Sequence, residues 1–293
     1  MSIIKKLLGI APKTESEGFS PSPLALILAT ESKTDYDHTV YPNAYKDGKL
    51  KVLMVCTEER YMTMRNGKKF STGNHPVEML VPMLHLEQAG FNIDIYTPTG
   101  GSVKIEMWAM PEKDEAVKKI YEKYKPKFKR PNSLSAFIQN SLNGESPYIA
   151  VFIPGGHGAM LGLPENKDLE RIICWVHEQD KYMLSICHGP AALLAANLSA
   201  EKDSFIYKGY KMTVFPDGVD KMTPLFGYMP GHMPWRFGEK LKELGVEIIN
   251  KQANSSCHHD RKLITGAGPK AANNFGKMAA EALLSEVTNS NAK

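Results

Sequence analysis

The chain has 293 residues, 42% of them hydrophobic, and its 36 basic side chains nearly balance 32 acidic ones, which leaves a net charge of +4. This composition excludes a disordered low-complexity chain, which would have fewer apolar residues or a much larger net charge. Because no apolar run approaches the ~20 residues that a membrane-spanning helix needs, we predict a protein that does not cross a membrane.

Short apolar runs alternate along the chain with segments of helical periodicity. We predict strands at 51–56, 91–97, 148–153, 182–186, 210–215, 246–249 and 262–264. We predict helices over 77–84, closed by Gly90, and at 169–180, 189–197, 234–244 and 269–287. Several strands are apolar over most of their length, so the alternation favours an α/β fold in which helices cover both faces of a parallel sheet.

Two stretches do not follow this alternation. Residues 1–50 are rich in Ser, Pro, Lys and Asp around an apolar island at 23–30, and residues 98–147 insert a charged, aromatic helical segment between two strands. A connection that long is usually functional or forms its own layer. We therefore predict two units: a discontinuous core over 50–97 and 148–293, and a small second, lid-like domain over 1–49 and 98–147.

Four cysteines lie far apart, at positions 56, 174, 187 and 257, without a CxxC pair or a zinc-ligand spacing. The apolar run within residues 1–10 is too short for a secretory leader. We therefore expect reduced thiols and a cytoplasmic location.

Residues 117–131 carry seven basic side chains against one acid, Glu122. Lysines on a helix face usually serve solvation, so we expect no direct nucleic-acid binding.

The most informative segment is Cys187-His188-Gly189-Pro190, where a predicted strand turns directly into a helix. This is the layout of a nucleophile elbow, although its leading glycine is missing. Such a turn would hold Cys187 at the carboxyl edge of the sheet, where open α/β sheets bind ligands. The helix N-terminus favours the thiolate, and His188 is an adjacent base. The residues alone leave open the alternative of a buried, unreactive cysteine.

A second predicted strand runs into a glycine-rich turn, Gly155-Gly156-His157-Gly158. Glycines there let backbone N–H groups approach a ligand closely and form an anion-binding nest. Together with the His188 N–H, this nest would make an oxyanion hole. A phosphate loop is excluded because no GK[ST] follows.

Three carboxylates are candidates for acid–base chemistry. Glu78 falls in the first turn of a helix that Pro76 begins, where it either complements the helix dipole or points at the sheet edge beside Cys187. Asp217 and Asp220 follow another predicted strand, and either one is a turn acid or the group that orients an imidazole. No HxH or HExxH pattern unites the remaining histidines, so we assign no metal site.

Taken together, these segments resemble the DJ-1/PfpI superfamily and, within it, the Hsp31 (HchA) branch. The resemblance runs from about residue 35 to residue 287. It rests on FSTGNHPVEML at 70–80, WAMPEKDEAV at 108–117, VFIPGGHGA at 151–159, CHGPAALLAA at 187–196, FPDGVD at 215–220, GYMPGH at 227–232 and DRKLITG at 260–266. It implies a flavodoxin-like α/β core, a small second domain and a homodimer.

The resemblance also implies roles for particular residues. Cys187 would be the nucleophile, His188 its adjacent base, and Glu78 the carboxyl that hydrogen-bonds the cysteine and carries protons. The acid paired with the histidine would be Asp220 and not Asp217.

The oxyanion N–H groups would come from Gly156 and His188. Some members of the branch bind zinc through a His, a Glu and a later His. The corresponding positions here read Glu87, Asn92 and Tyr124, which is not that ligand set. We therefore expect neither a metal nor another cofactor.

The branch is associated with a glutathione-independent glyoxalase that converts methylglyoxal to lactate, with deglycation of glyoxal adducts on proteins and nucleotides, and with a holdase chaperone activity. We expect Cys187 to attack an aldehyde carbon, Glu78 to move a proton between two carbons, and water to hydrolyse the thioester. The expected partners are small dicarbonyl compounds, glycated proteins or nucleotides, and unfolded chains as chaperone clients.

Two alternatives remain open: a protein that is primarily a stress chaperone, and a weak cysteine aminopeptidase. A triad amidotransferase is disfavoured, because its His-x-Glu pair lies downstream of the cysteine, whereas His75 and Glu78 lie upstream.

Overall fold

A computed structural model describes residues 8–142, 145–200 and 204–291. Residues 1–7 of the predicted second domain lie outside these ranges. The strands are β1 (Lys13–Thr14), β2 (Phe19–Ser20), β3 (Lys51–Val55), β4 (Tyr61–Thr63), β5 (Lys69–Ser71), β6 (Asn92–Thr97), β7 (Asn132–Ser133), β8 (Tyr148–Ile153), β9 (Tyr182–Ile186), β10 (Lys211–Met212), β11 (Glu247–Ile248), β12 (Cys257–Asp260) and β13 (Leu263–Gly266). The α-helices are α1 (Pro23–Ala29), α2 (Pro76–Gln88), α3 (Glu115–Lys129), α4 (Leu134–Ser141), α5 (Lys167–Glu178), α6 (Asp217–Met222), α7 (Phe237–Glu243) and α8 (Ala272–Asn291). Short 3₁₀ helices cover Met107–Ala109, His157–Met160, Gly189–Asn197, Thr223–Leu225 and Pro269–Ala271.

Within the described residues, seven strands form the central sheet, in the order β12-β13-β9-β8-β3-β6-β7. Neighbouring strands are parallel, except that the edge strand β12 runs antiparallel to β13. Side chains alternate along a strand, so Leu53 and Val55 enter one apolar cluster and Met54 enters another on the opposite face. The predicted α/β fold, a mostly parallel sheet between helices, is confirmed.

One helical layer is built around α2 and α8. Gly276 of α8 allows the close approach, because a Cβ there would lie 2.6 Å from the His85 ring of α2. His85 joins the two helices further: its ring nitrogens lie 2.8 Å from the Tyr41 hydroxyl and 2.8 Å from Asn273 Oδ1. This packing holds α2, whose first turn carries Glu78, against α8.

The two predicted strands at 210–215 and 246–249 do not join the central sheet. Their ordered parts, β10 and β11, pair with each other in a separate parallel ladder. Just beyond β10, the Thr213 N–H donates to the Thr265 side-chain oxygen at 3.0 Å. On the side that faces β11, the Val214 N–H donates to the Asn250 side-chain oxygen at 3.0 Å and not to a β11 carbonyl, so the ladder ends after two residue pairs.

Residues 98–147 supply both an edge strand, β7, and the helix α3. Four apolar side chains of α3 lie in the same buried cluster as α2: Val117, Ile120, Tyr124 and Phe128. The N-terminal strands β1 and β2 instead join β5 and β4 in a small separate sheet. The division into a core and a second domain stays a prediction.

The basic stretch at 117–131 forms most of α3. Its lysines make ion pairs with nearby acids, among them Lys118 with Glu115 and Lys125 with Glu122. These pairs neutralise part of the local charge, and the expectation of no nucleic-acid binding stays a prediction. None of the described helices is long and apolar enough to cross a membrane.

Candidate active site

Cys187 occupies a strained turn at the end of β9. Its φ angle is 61°, in the left-handed region that non-glycine residues rarely adopt. The turn is held on both sides: the Cys187 N–H donates to the Gly266 carbonyl at 2.8 Å, and the Phe215 N–H donates to the Cys187 carbonyl at 2.9 Å. A 3₁₀ helix begins two residues later, at Gly189. The strand–turn–helix arrangement is therefore present, with a 3₁₀ helix in place of the predicted amphipathic one.

The turn directs Cys187 to a cavity of about 670 Å³ at the carboxyl edge of the sheet. The residue itself is only 4% exposed. The cavity brings together five of the six predicted site residues: Glu78, Gly156, Cys187, His188 and Asp220. They come from α2, from the turns after β8 and β9, and from α6, so the fold joins segments far apart in sequence.

The sixth residue, Gly155, lies behind Glu78 and Cys187. A Cβ on Gly155 would lie 2.1 Å from Glu78 Oε2 and 2.5 Å from Cys187 Cβ. Gly156 has a φ angle of 98°, and a Cβ there would lie 2.3 Å from the Gly73 carbonyl oxygen. Both positions therefore require glycine. Burial raises the pKa of the Cys187 thiol, and the hydrogen bond from the Gly156 N–H opposes this rise only in part.

His188 connects the cysteine to one of the two candidate aspartates. Its Nδ1 lies 3.1 Å from Cys187 Sγ, and its Nε2 lies 2.8 Å from Asp220 Oδ2. The Asp217 carboxylate instead accepts hydrogen bonds from two backbone N–H groups at the start of α7. The geometry thus separates the two acids, and Asp220 is the one that orients His188.

A second histidine, which the sequence did not single out as a site residue, shares Asp220. His157 Nε2 lies 3.0 Å from Asp220 Oδ1, and its ring centroid lies 3.9 Å from that of His188. Burial lowers the pKa of His157, but the charge and hydrogen bond of Asp220 outweigh it, so the pKa is raised overall. His157 lies in the VFIPGGHGA motif, of which only the glycines were predicted to belong to the site.

The electrostatics of this group favour one proton arrangement. Burial and the neighbouring His157 lower the pKa of His188 to about 4, against the opposing effect of Asp220. Burial raises the pKa of Asp220, but the two histidines outweigh it and hold that pKa well below its usual range. The favoured state is an ion pair between Asp220 and His157 beside a neutral His188, which can accept a proton.

Glu78 lies in the first turn of α2 and is fully buried. Burial raises its pKa to about 8, although a hydrogen bond with the Cys187 thiol lowers it. Within the described parts of the chain, neither carboxyl oxygen has a nitrogen or oxygen partner in good hydrogen-bond geometry. Of the two interpretations of Glu78, the geometry favours the carboxyl beside the cysteine.

The expectation from the sequence that Cys187 is a thiolate is wrong for the resting protein. Burial, followed by the charge of Glu78, raises the pKa of the Cys187 thiol well above its usual value. The dipole of the short helix that follows does not overcome this desolvation. The resting group is therefore a thiol, and its proton must pass to His188 or Glu78 before the sulfur can attack.

The other polar residues that line the cavity, which the sequence did not single out, include His75, Glu106 and Tyr228. His75 and Glu106 are buried. Burial, with His157 and His188, lowers the pKa of His75 to about 3. His75 and Tyr228 stand within the motifs at 70–80 and 227–232, whereas Glu106 lies just before the motif at 108–117 and carried no signal.

The positions at which some members hold zinc do not form a metal site. The Tyr124 hydroxyl and the Lys123 ammonium group both donate to Glu87 Oε1, each at 2.6 Å. Asn92 donates its side-chain N–H to the Gly48 carbonyl oxygen at 2.8 Å. A phenol, an ammonium group and an amide that already has a partner are not a zinc ligand set, so the residues do not fit the metal.

One cluster within the described residues does have ligand-like spacing. His157, His188 and Asp220 each offer an atom, and these atoms lie within 4.8 Å of one another. Because both imidazoles already hydrogen-bond the carboxylate, we interpret this cluster as the proton-handling group of the site.

The DJ-1/PfpI family matches residues 70–282. A Pseudomonas aeruginosa (strain UCBPP-PA14) protein named protein/nucleic acid deglycase HchA is 50% identical over 271 residues, which cover 92% of this chain and 93% of that protein. A Staphylococcus aureus (strain bovine RF122 / ET3-1) protein of the same name is 46% identical over 278 residues, 94% of each chain.

Solved structures show the same architecture. Rapid Encystment Protein 24 KDa of Francisella tularensis aligns with a TM-score of 0.67 at 25% identity, over 80% of this chain and 99% of that chain. Glyoxalase III of Candida albicans aligns with a TM-score of 0.59 at 24% identity, over 79% of this chain and 97% of that chain. These likenesses agree with the predicted flavodoxin-like core.

Proposed function

The chain belongs to the DJ-1/PfpI family, and from this premise we propose that it is a cysteine-dependent deglycase and glyoxalase. Its relatives at 46–50% identity carry the name protein/nucleic acid deglycase. The observation that supports the proposal most directly is the position of Cys187 Sγ, 3.1 Å from His188 Nδ1 and beside the buried Glu78 carboxyl, in one cavity.

In the first step, the cysteine adds to an aldehyde carbon. The thiol proton passes to His188 as the sulfur–carbon bond forms, and the negative charge of Asp220 stabilises the resulting imidazolium. The aldehyde oxygen gains negative charge next to the Gly156 N–H, and then takes the proton from His188. The product is a hemithioacetal on Cys187.

In the second step, Glu78 moves a hydrogen from the first carbon of the substrate to the second. A pKa of about 8 suits a group that must both accept and return a proton near neutral pH. The hydroxyl proton moves at the same time from the first oxygen to the second, so a hydroxyacyl thioester results. Water hydrolyses this thioester, which regenerates the thiol and releases lactate when the substrate is methylglyoxal.

Deglycation would use the same first intermediate. In an early adduct, the former aldehyde carbon carries a hydroxyl group and the amine of a protein or nucleotide. The Cys187 sulfur displaces that amine, which leaves with the thiol proton delivered through His188. The intermediate then continues to the hydroxy acid, so the amine is released unmodified.

The proposal is tested with Cys187→Ser and, as a matched control, Cys56→Ser. Purified proteins are incubated with methylglyoxal, and lactate is measured enzymatically. We expect Cys187→Ser to lose at least about 1,000-fold in kcat/KM while it keeps its circular dichroism spectrum. We expect Cys56→Ser to retain turnover. Equal lactate production by wild type and Cys187→Ser would rule the enzyme out.

A second proposed activity, holding of unfolded chains, draws on exposed apolar residues in two segments that contribute to the cavity lining. In α1, Ile27 and Leu28 line the cavity and are 77% and 66% exposed. The segment from α6 to the residue after the following 3₁₀ helix exposes Met222, Leu225 and Phe226. The Ser22 hydroxyl donates to the Phe226 carbonyl at 3.0 Å and joins the two segments. Exposed apolar residues that lie together in this way suit promiscuous binding.

The two activities are separable by mutation. Leu225→Gln with Phe226→Gln should weaken suppression of the heat aggregation of a client protein, whereas Cys187→Ser should not change it. Light scattering at elevated temperature measures both. Full-length protein that suppresses no aggregation would exclude a holdase activity.

Following the family resemblance, we also propose a homodimer, which sedimentation equilibrium would test.

A further inference from the structure

Glu106 is a second buried carboxyl in the cavity that has no part in the steps above. Its backbone is fixed beside α2, because its N–H donates to the Asn74 carbonyl at 3.0 Å. The side chain is 0% exposed. Its Oε1 accepts a hydrogen bond from the Thr72 hydroxyl at 2.7 Å, and Oε2 has no partner in good hydrogen-bond geometry within the described residues, although the His157 backbone N–H interacts with the carboxyl.

The surroundings of Glu106 favour the protonated, neutral carboxyl more strongly than those of an exposed glutamate do. Burial raises its pKa, and the neighbouring His157, Thr72 and Arg60 offset this only in part. Glu78 and Glu106 share one cavity, and the charge of Glu106 raises the pKa of Glu78. Two carboxyls in a poorly solvated site disfavour double ionisation. With Oε1 bound to Thr72, Oε2 is the oxygen left to carry a proton toward a ligand.

A dicarbonyl substrate brings two oxygens into this cavity. The first lies on the attacked carbon and faces the Gly156 N–H. The second becomes negatively charged when Glu78 removes the hydrogen from the first carbon, so it needs a hydrogen-bond donor. Among the described residues that line the cavity, Glu78 is occupied with the carbon-bound hydrogen, and the remaining buried atoms without a partner are Glu106 Oε2 and His75 Nδ1.

We propose that Glu106 Oε2 donates a hydrogen bond to the oxygen on the carbon adjacent to the one that Cys187 attacks. This inference deepens the proposed function and rests on it, since it names the feature of the substrate that the site selects. Glu106 is then the residue that favours 2-oxoaldehydes and their adducts over simple aldehydes. An unpaired buried carboxyl oxygen is costly, and a substrate with a second oxygen removes that cost, whereas a simple aldehyde leaves it in place.

The experiment compares Glu106→Ala and Glu106→Gln with wild type on two ligands. Methylglyoxal has the adjacent oxygen, and propanal lacks it. Turnover of methylglyoxal is followed by lactate formation. Binding of either compound is followed by the protection of Cys187 from iodoacetamide, quantified by peptide mass spectrometry. Glu31→Gln is the matched control, because Glu31 is an exposed acid at the mouth of the same cavity.

Glu106→Ala should lower kcat/KM for methylglyoxal about tenfold or more and weaken its protection of Cys187, with protection by propanal unchanged. Glu106→Gln keeps an N–H donor and should restore most of the loss. Glu31→Gln should behave as wild type. Equal losses for both ligands, no loss with methylglyoxal, or failure of Glu106→Gln to recover any activity would each overturn the proposal.

Failure of the proposed function gives a different result. If wild type forms no lactate, the glyoxalase assignment falls. The protection assay still reports whether Glu106→Ala discriminates between methylglyoxal and propanal. A loss that is confined to methylglyoxal protection would then still locate the second-oxygen subsite at Glu106.

Discussion

Two cysteines follow parallel strands of the same sheet, yet only one belongs to the site. Cys56 continues the line of β3: its N–H donates to the Tyr96 carbonyl at 2.9 Å, and its side chain is buried in an apolar cluster. Cys187 leaves the line of β9 through a positive φ angle and meets His188 and Glu78.

Burial raises the pKa of both thiols. Desolvation therefore does not distinguish them, and neither does their place after a buried strand. What distinguishes Cys187 is the set of groups around it that can take its proton and return it. A backbone turn of one residue decides whether a cysteine at a strand end meets such groups or packs into the core.

The largest expected effect comes from removing the charge on which this proton transfer depends. Asp220→Asn should lower kcat for methylglyoxal by about 10²- to 10⁴-fold, because the neutral amide no longer stabilises the His188 imidazolium and favours the wrong tautomer. Steady-state kinetics with lactate detection measures the change.

Asp217→Asn is the matched control from the same helix, α6. Its carboxylate accepts two backbone N–H groups at the start of α7, so the variant should lose stability, about 0.5–2 kcal/mol, and keep its kcat. If the two substitutions lowered kcat equally, the Asp220 carboxylate would have no specific role in stabilising the His188 imidazolium. The charge next to His188 would then not explain why Cys187 is reactive and Cys56 is not.

The next effect concerns the proton on Glu78. Burial raises the pKa of Glu78 from 4.5 to about 8, so between these values the folded protein holds a proton that the unfolded chain releases. The contribution of Glu78 to stability therefore falls as pH rises through this window, by at most about 1.4 kcal/mol per pH unit. Below pH 6.5, His188 acts in the opposite direction, since its pKa is lowered from 6.5 to about 4.

The window between pH 6.5 and 8 is free of the opposing effect of His188, and the raised pKa of His157 acts there in the same direction as Glu78 in wild type and variant alike. Over it, Glu78→Gln should gain stability relative to wild type, because the amide does not ionise. Urea unfolding at several pH values gives the difference in the free energy of unfolding. Cys56→Ala serves as the control, and its difference from wild type should stay constant. A difference for Glu78→Gln that does not change with pH would mean that Glu78 is ionised in the folded protein throughout.

The same contrast shows how far the sequence predicts the fold. The strands at 148–153 and 182–186 have the predicted bounds, because continuous apolar runs between polar ends specify strands covered on both faces. The segments at 210–215 and 246–249 have similar composition but pair with each other. Their pairing joins backbone groups far apart in the chain, such as the Glu247 N–H and the Tyr210 carbonyl, which no local pattern contains.

The site, like the fold, could be predicted where the signal is local in sequence and not where it depends on contacts between distant segments. Cys187 and His188 are adjacent in sequence, so a motif reveals both. Spacing alone could not choose between Asp217 and Asp220, because both follow a strand and only the packing of α6 decides. His157 meets Asp220 across 63 residues of sequence, and Glu106 enters the cavity from the connection before α3. Such contacts exist only in the folded chain.

The smallest expected effect tests the backbone difference between the two strand ends directly. At position 187 the φ angle of 61° costs a residue with a Cβ about 1–2 kcal/mol, and glycine avoids this cost. Cys187→Gly should therefore be more stable than Cys187→Ala. At position 56 the backbone extends the sheet, where glycine is the poorer residue by about 0.5–1 kcal/mol, so Cys56→Gly should be less stable than Cys56→Ala.

Comparing glycine with alanine at one position removes the cost of losing the thiol, which both variants share. Alanine keeps one buried methyl group that glycine lacks at both positions, so this contribution has the same sign at both. The backbone contribution differs in sign, and we expect the difference measured by chemical denaturation to invert between the two positions. The same sign at both would mean that Cys187 is not held in the left-handed region in solution. The Cys187 sulfur would then point into the core, as the Cys56 sulfur does. It would lie away from His188, and the turn would not present a nucleophile to the cavity.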